Sequence, residues 1–372
     1  MARLRLRRPR RGTVVFMEAV LAVAAAAIAV STVGGYLVAA AAVLIGLVFL
    51  VRWRGRGLLD VLRDRLRDPG PADGPAASAE PRPELGLAAG VLTALQVTGV
   101  ATRNGPALGV VGDGHGFAVL LSAGPRPPRA WDLAELVRVL TDDPARPAAV
   151  QLLVEQGGPG RARVDPDFLP ARTYRSLPVR GLPLWNRALL VIRHEPAWAP
   201  ETVAARGGGA TGARNALAAV AARTVARASR DGRRLRPLGP AEVSRLLREL
   251  GDPAPGGEVS GGRLHTGTTV HTALSVPLHD PDTIGVALRA CAELDVDRSV
   301  LSVAVNAIDH SACAVVRLVD PDPEALDRAA TRLIRAGTAT ALPDAQLAGL
   351  VATLPLGGGA RSLADLVNQE RT

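Results

Sequence analysis

Between Gly12 and Val51 the chain carries a single charge, Glu18, and arginines crowd both ends of the run. Arg3, Arg5, Arg7, Arg8, Arg10 and Arg11 precede it, and Arg52, Arg54 and Arg56 come after it. A membrane-spanning helix needs about 20 apolar residues, so a run of roughly 40 fits two spans, with Gly34-Gly35 where a turn would fall. Arginine on both flanks places both ends on the cytoplasmic side. The run therefore predicts a two-helix transmembrane hairpin over 12–51, after a basic cytoplasmic tail over 1–11.

A cleavable signal peptide is the competing reading, since Val14 to Val30 after a basic start resembles its apolar region. The second apolar stretch, Val33 to Val51, comes at once and argues against cleavage. Glu18 lies about one turn inside the first span. It either snorkels to the interface or meets a partner helix.

The same arginines explain the sequence pI near 11. Residues 1–68 hold 12 arginines and four acids (Glu18, Asp60, Asp64, Asp68), a net of +8. The whole chain is +9, which leaves residues 69–372 at +1. The basic excess is thus juxtamembrane, where it sets topology and attracts anionic lipid. The remainder lacks the basic patch and stacking aromatics that nucleic-acid binding requires, so no nucleic-acid partner is expected. All 44 basic residues are arginine, which removes the P-loop, Schiff-base and kinase lysines from consideration.

Past the run, Leu59, Leu62 and Leu66 recur at helical spacing, a helix that continues the second span or lies along the surface. Asp68 to Pro83 is rich in Pro, Ala and Gly and reads as a linker. Residues 52–83 are therefore assigned to a juxtamembrane helix and linker, and 84–372 to a cytoplasmic α/β domain.

In that domain strands are expected over Val91–Val100, Ala107–Val111, Phe117–Ser122, Ala148–Glu155, Arg187–Arg193, Leu264–Val276, Val300–Ile308 and Ala312–Val319. Helices are expected over Trp131–Thr141, Thr211–Arg230, Pro240–Leu250, Asp282–Leu294, Pro323–Ala336 and Gln346–Thr353. The alternation predicts an α/β or α+β fold on a mixed sheet. No internal repeat is evident in the sequence.

Candidate chemistry is thin. Asp280/Asp282, Asp295/Asp297 and Asp320/Asp322 have the Asp-x-Asp spacing that a divalent cation with a nucleotide-sugar would use. Two of the pairs precede predicted helices, where aspartate caps free N–H groups, and Asp295/Asp297 falls in a turn. His265 and His271, read on one strand, share a face about 20 Å apart, too far to share a metal. His115, His194, His279 and His310 form no metal spacing either. Cys291 and Cys313 are read as buried structural thiols in a reducing compartment. Gly207-Gly208-Gly209-Ala210-Thr211-Gly212 precedes a helix, but Ala213 and Arg214 stand where a phosphate loop needs Lys and Ser/Thr. No catalytic, cofactor-binding or metal-ligating residue emerges.

The layout of basic start, hairpin, linker and α/β domain resembles the EccE family, a membrane component of the actinobacterial type VII (ESX-like) secretion system. The resemblance extends to Gly109-Val110-Val111-Gly112-Asp113-Gly114-His115-Gly116-Phe117, to Leu189-Leu190-Val191-Ile192-Arg193, and to Ala221–Arg227 leading to Arg236–Glu242. It implies a non-catalytic, two-pass subunit of the inner-membrane complex, with N-terminus and C-terminal domain cytoplasmic. It also implies EccB, the EccC ATPase, EccD and the mycosin protease as partners, with export driven by that ATPase. A glycosyltransferase-like fold without transferase activity is implied for the domain. Small residues Ala22, Ala25, Ala26, Ala29 and Ala39 to Ala42 offer surfaces for close helix approach. The rival readings are a membrane-anchored glycosyltransferase using one Asp-x-Asp pair, and a lipid-surface adaptor working through the arginine flanks.

Overall fold

The computed structural model describes residues 52–53, 56–57, 83–102, 105–124, 133–157, 183, 185–267, 269–279 and 282–358. The expected hairpin over 12–51, the helix through Leu66 and most of the linker lie outside them. Among the described residues no helix is long and apolar enough to cross a membrane. The chain divides into two compact parts, Met1–Ala72 and Asp73–Thr372. In the first, β1 (Arg52–Trp53) pairs antiparallel with β2 (Arg56–Gly57).

The second part opens with a 3-10 turn at Pro83–Leu85 and α1 (Leu87–Val91). Then come β3 (Gln96–Thr102), β4 (Gly105–Gly112), β5 (Phe117–Ser122), α2 (Leu133–Thr141), β6 (Ala149–Gly157) and β7 (Trp185–His194). Next are α3 (Pro200–Ala204), α4 (Gly209–Arg230), β8 (Arg236–Pro237), α5 (Pro240–Gly251), β9 (Gly257–Ser260), β10 (Arg263–Thr266) and β11 (Val270–Ser275). The chain closes with α6 (Thr283–Ala292), β12 (Arg298–Asn306), β13 (Ser311–Asp320), α7 (Pro323–Arg335), β14 (Thr340–Ala341) and α8 (Gln346–Ala352).

Local chemistry sets these boundaries. Asp322 accepts the Glu324 N–H at 2.9 Å and Pro323 opens α7, which stops at Gly337 with φ 69°. Glu242 reaches back to the Gly239 N–H at 3.1 Å to start α5. Two expectations shift. Leu92 to Leu95 belong to the end of α1 and a turn, so β3 begins only at Gln96. The expected strand Leu264–Val276 is a hairpin, because β10 pairs antiparallel with β11 and the Thr266 N–H closes on the Thr269 carbonyl at 2.9 Å.

One sheet organises the domain, in the order β3-β4-β5-β7-β6-β12-β13-β11-β10-β9, with β8 on β5 and β14 on β11. Every described pairing is antiparallel, which corrects the expected mixed sheet. The crevice at the carboxyl ends of parallel strands, where nucleotides bind in doubly wound sheets, needs parallel neighbours. Nothing among the described residues supports the glycosyltransferase-like expectation.

The topology also contains a repeat that the sequence conceals. The run β5-α2-β6-β7-α4-β8 has the same order and pairing as β11-α6-β12-β13-α7-β14. Each is the split β-α-β-β-α-β arrangement called ferredoxin-like. The registers coincide. Phe117 faces His194 as Val270 faces Asp320, Ala149 faces Arg193 as Arg298 faces Val319, and Leu121 faces Pro237 as Leu274 faces Ala341. The halves join along β6 and β12, with Leu153 opposite Ser302 at the centre of that ladder.

Strand alternation then divides the core. Val150, Leu152, Val154, Leu190, Ile192, Leu301, Val303, Val316 and Leu318 point toward the layer of α2, α4, α6 and α7. The opposite face carries Leu120, Leu153, Leu189, Val191 and Val300 under α1, α5 and the segment around Leu354 and Leu356. That second face holds the polar residues that set the domain apart.

Candidate functional site

Four neighbouring strands each place a charged or amide side chain on the second face. They are Arg193 on β7, Gln151 and Glu155 on β6, Arg298 on β12 and Arg317 on β13, all buried. A buried guanidinium is costly unless its donors are met, and here helix ends, a turn and carboxylates receive most of them, Arg298 Nε remaining buried without a partner.

Arg193 donates to both oxygens of Asp113, at 2.8 and 3.2 Å, to Glu195 at 3.0 Å and to the Leu356 carbonyl at 3.2 Å. Asp113 also accepts the N–H groups of His115 and Gly116, so one carboxylate shapes the β4–β5 turn and anchors the arginine. Burial opposes the charge of Arg193, but Asp113 and Glu195 outweigh it and keep its pKa above the ordinary value.

Gln151 grips the chain after α8. Its amide donates to the Ala352 and Leu354 carbonyls at 2.9 and 3.0 Å, and its oxygen accepts the Gly357 N–H at 2.9 Å. The approach is close enough to exclude side chains. A Cβ on Gly358, which has φ 63°, would lie 2.2 Å from the Ala304 Cβ.

At the end of α5, Glu155 binds Arg187 and Arg298, and Arg187 also reaches Glu249 at 3.0 Å. Arg298 donates to the Glu249 carbonyl. Arg317 donates to the Leu250 carbonyl, to Thr353 Oγ1 at 2.7 Å and to His271 Nδ1 at 2.8 Å. Arg298 and Arg317 thus sit against the C-terminal end of α5, and Arg317 also against that of α8, where the helix dipole favours a cation. Burial, aided by Arg298, still draws Arg317 down to about 9.

His271, Asp252 and Thr269 come together behind Arg317. Because Nδ1 accepts from Arg317, the ring proton resides on Nε2, which faces Thr269 Oγ1 at 3.0 Å and Asp252 at 3.4 Å. Both ring nitrogens are engaged and the residue is 1% exposed. Burial, with Arg317 and Arg298 nearby, pushes its pKa down to about 4. Burial opposes the charge of Asp252 as well, but hydrogen bonds from His271 and Thr269 hold it below the usual carboxylate range. A nucleophile relay needs the acid on one ring nitrogen and the hydroxyl on the other. Here both share one nitrogen, so the cluster is a clamp.

The residues singled out in the sequence are scattered. Asp280 lies outside the described residues, and Asp282 precedes α6 without a side-chain cap bond. Asp320 accepts the N–H groups of Asp297 and Asp322, at 2.8 and 2.9 Å, and so braces two turns. His265 and His271 lie on opposite faces of the β10–β11 hairpin, since Leu264 is opposite His271 and His265 opposite Val270. This corrects the shared face and the 20 Å separation read from a single strand. Cys291 is buried, with its pKa pushed up to about 12, but Cys313 is exposed, which corrects the expectation of two buried thiols. Gly207, Gly208 and Gly209 all have positive φ and turn the chain into α4. Among the described residues no three His, Cys, Asp or Glu side chains are placed to hold a metal ion.

Sequence reasoning missed the buried arginines, although an arginine inside an apolar strand, as in Val191-Ile192-Arg193 or Val315-Val316-Arg317, is a usable signal. A charge at an inward strand position demands a buried partner.

Fold and site together define a duplicated antiparallel α/β domain whose polar face is consumed in fastening its own helices. Residues 184–276 match the EccE family model, described as "Putative type VII ESX secretion system translocon, EccE". The matched stretch runs from β7 to β11 and contains Arg193, α5, Asp252 and His271. No curated protein matches the chain.

Proposed function

We propose that the chain is a non-catalytic structural subunit of a type VII secretion inner-membrane complex. The family match over 184–276 is the observation that carries this reading. The run Gly12–Val51 serves as a two-pass anchor in the plasma membrane, with both ends cytoplasmic, and its arginine flanks bind anionic lipid. The other membrane subunits are its partners: EccB, EccD, the EccC ATPase and the mycosin protease. The ATPase supplies the energy for export. Support from the domain is indirect but physical. Arg193 is held by Asp113 and Glu195, Glu155 by Arg187 and Arg298, and Arg317 by His271 and the end of α5, as suits a rigid docking body.

An export assay separates this from the transferase reading. Cells lacking the chain should stop exporting the system's substrates. Complementation with Asp282→Ala or Asp297→Ala should restore export to the wild-type level. Failure of both variants, with normal protein levels, would favour metal-dependent chemistry.

A further inference from the structure

Asp252 is the described residue at which three separate pieces of the domain meet. It caps α5 with φ 120° and ψ 141°, a backbone conformation rarely adopted by a side chain with a Cβ. Its carbonyl accepts the Leu87 N–H at 3.0 Å. Gly86, at φ 59°, passes so close that a Cβ there would lie 2.2 Å from the same oxygen. Its carboxylate accepts the Ala254 N–H at 2.9 Å and the hydroxyls of Thr266 and Thr269, and faces His271 Nε2. The backbone of one strained residue thus holds the lead-in Pro83–Leu92, and its side chain holds the β10–β11 hairpin. Arg298 and Arg317 pin the residues just before it, Glu249 and Leu250, to the central strands.

Strain of this kind persists only where surrounding bonds overdetermine it. Losing the carboxylate bonds frees the backbone to relax, and relaxation moves the carbonyl that holds Leu87. We propose that Asp252 is a conformational joint through which the lead-in 83–92 and the β10–β11 hairpin release together from the end of α5, while the β7-β6-β12-β13 ladder stays closed. The lead-in is the first part of the domain that the chain reaches after its N-terminal segments. A displacement arriving along the chain is therefore passed to the hairpin through this residue.

Hydrogen exchange of the full-length chain in mild detergent, read by mass spectrometry, tests this. Asp252→Asn should speed exchange in peptides covering 86–92 and 263–271 by about tenfold each, with peptides from 149–157 and 298–306 unchanged. Thr269→Val removes the hydroxyl's bonds to Asp252 and His271 without touching the charge, and should speed both segments by about threefold. Acceleration of the hairpin alone in either variant overturns the joint. So does equal acceleration of the central strands, or failure of Asp252→Asn to fold accompanied by a Thr269→Val effect confined to the hairpin.

Discussion

Arg317 donates to Nδ1 of His271 at 2.8 Å, and that bond assigns the imidazole proton to Nε2, facing Asp252. Both residues are 1% exposed. A cation thus leans on a neutral histidine, and the histidine on a carboxylate, under the end of α5.

Acid should find this arrangement first. His271 and His194 have their pKa values pushed down to about 4, mainly by burial, from an ordinary 6.5. The unfolded chain therefore binds more protons than the folded one between pH 6.5 and 4, so stability rises with pH there. The full contribution is present above about 6.5 and is lost as pH falls through about 4, roughly 3 kcal/mol for His271. Thermal melts of residues 73–372 should show the loss in that window, and His271→Gln should reduce it to the part that His194 contributes. A melt independent of pH between 6.5 and 4 would contradict the assignment.

Arg317→Ala should destabilise the domain by about 3–5 kcal/mol, because it strands the Leu250 carbonyl, Thr353 Oγ1 and His271 Nδ1 together. Arg236→Ala, which breaks an exposed pair with Glu242, should cost under about 1 kcal/mol. Urea titration of the two variants measures the contrast. Similar midpoints would show that the buried arginine does not lock α5.

Close approach makes a third prediction. A Cβ on Gly349 would stand 2.2 Å from the Ala273 Cβ, as one on Gly358 would from Ala304. Gly349→Ala should cost about 1–3 kcal/mol by lifting α8 from β11, and Gly358→Ala more, since φ 63° also penalises a side chain. Calorimetry gives the order.

The strands at the centre of the sheet were legible because Ala149–Gly157, Trp185–His194, Arg298–Asn306 and Ser311–Asp320 combine apolar runs with clear turn residues. Pairing direction was not, since two strands facing opposite ways carry the same alternation. The repeat stayed hidden for a related reason. The two ferredoxin-like halves share registers but not residues: His194 stands where the second half has Asp320, and Arg193 where it has Val319. The Leu264–Val276 hairpin reads as one strand in the sequence because the stretch between β10 and β11 is short and rich in threonine. The clamp around Asp252 needed tertiary structure, as its members come from the end of α5, the residues before β11, β11 itself and β13.

Small residues in the apolar run make a prediction about assembly. Ala22→Leu with Ala26→Leu should reduce recovery of the chain in a high-mass complex on native gels, while leaving it membrane-bound. Unchanged recovery would mean that this face meets lipid or the second span.

The central claim is membership of a secretion complex, and affinity purification of the full-length chain in gentle detergent from cells that make the system tests it most directly. An FtsK-like ATPase and the other membrane subunits should co-purify in stable proportion. Recovery of the chain alone, from membranes in which those subunits are present and assembled, would contradict the account.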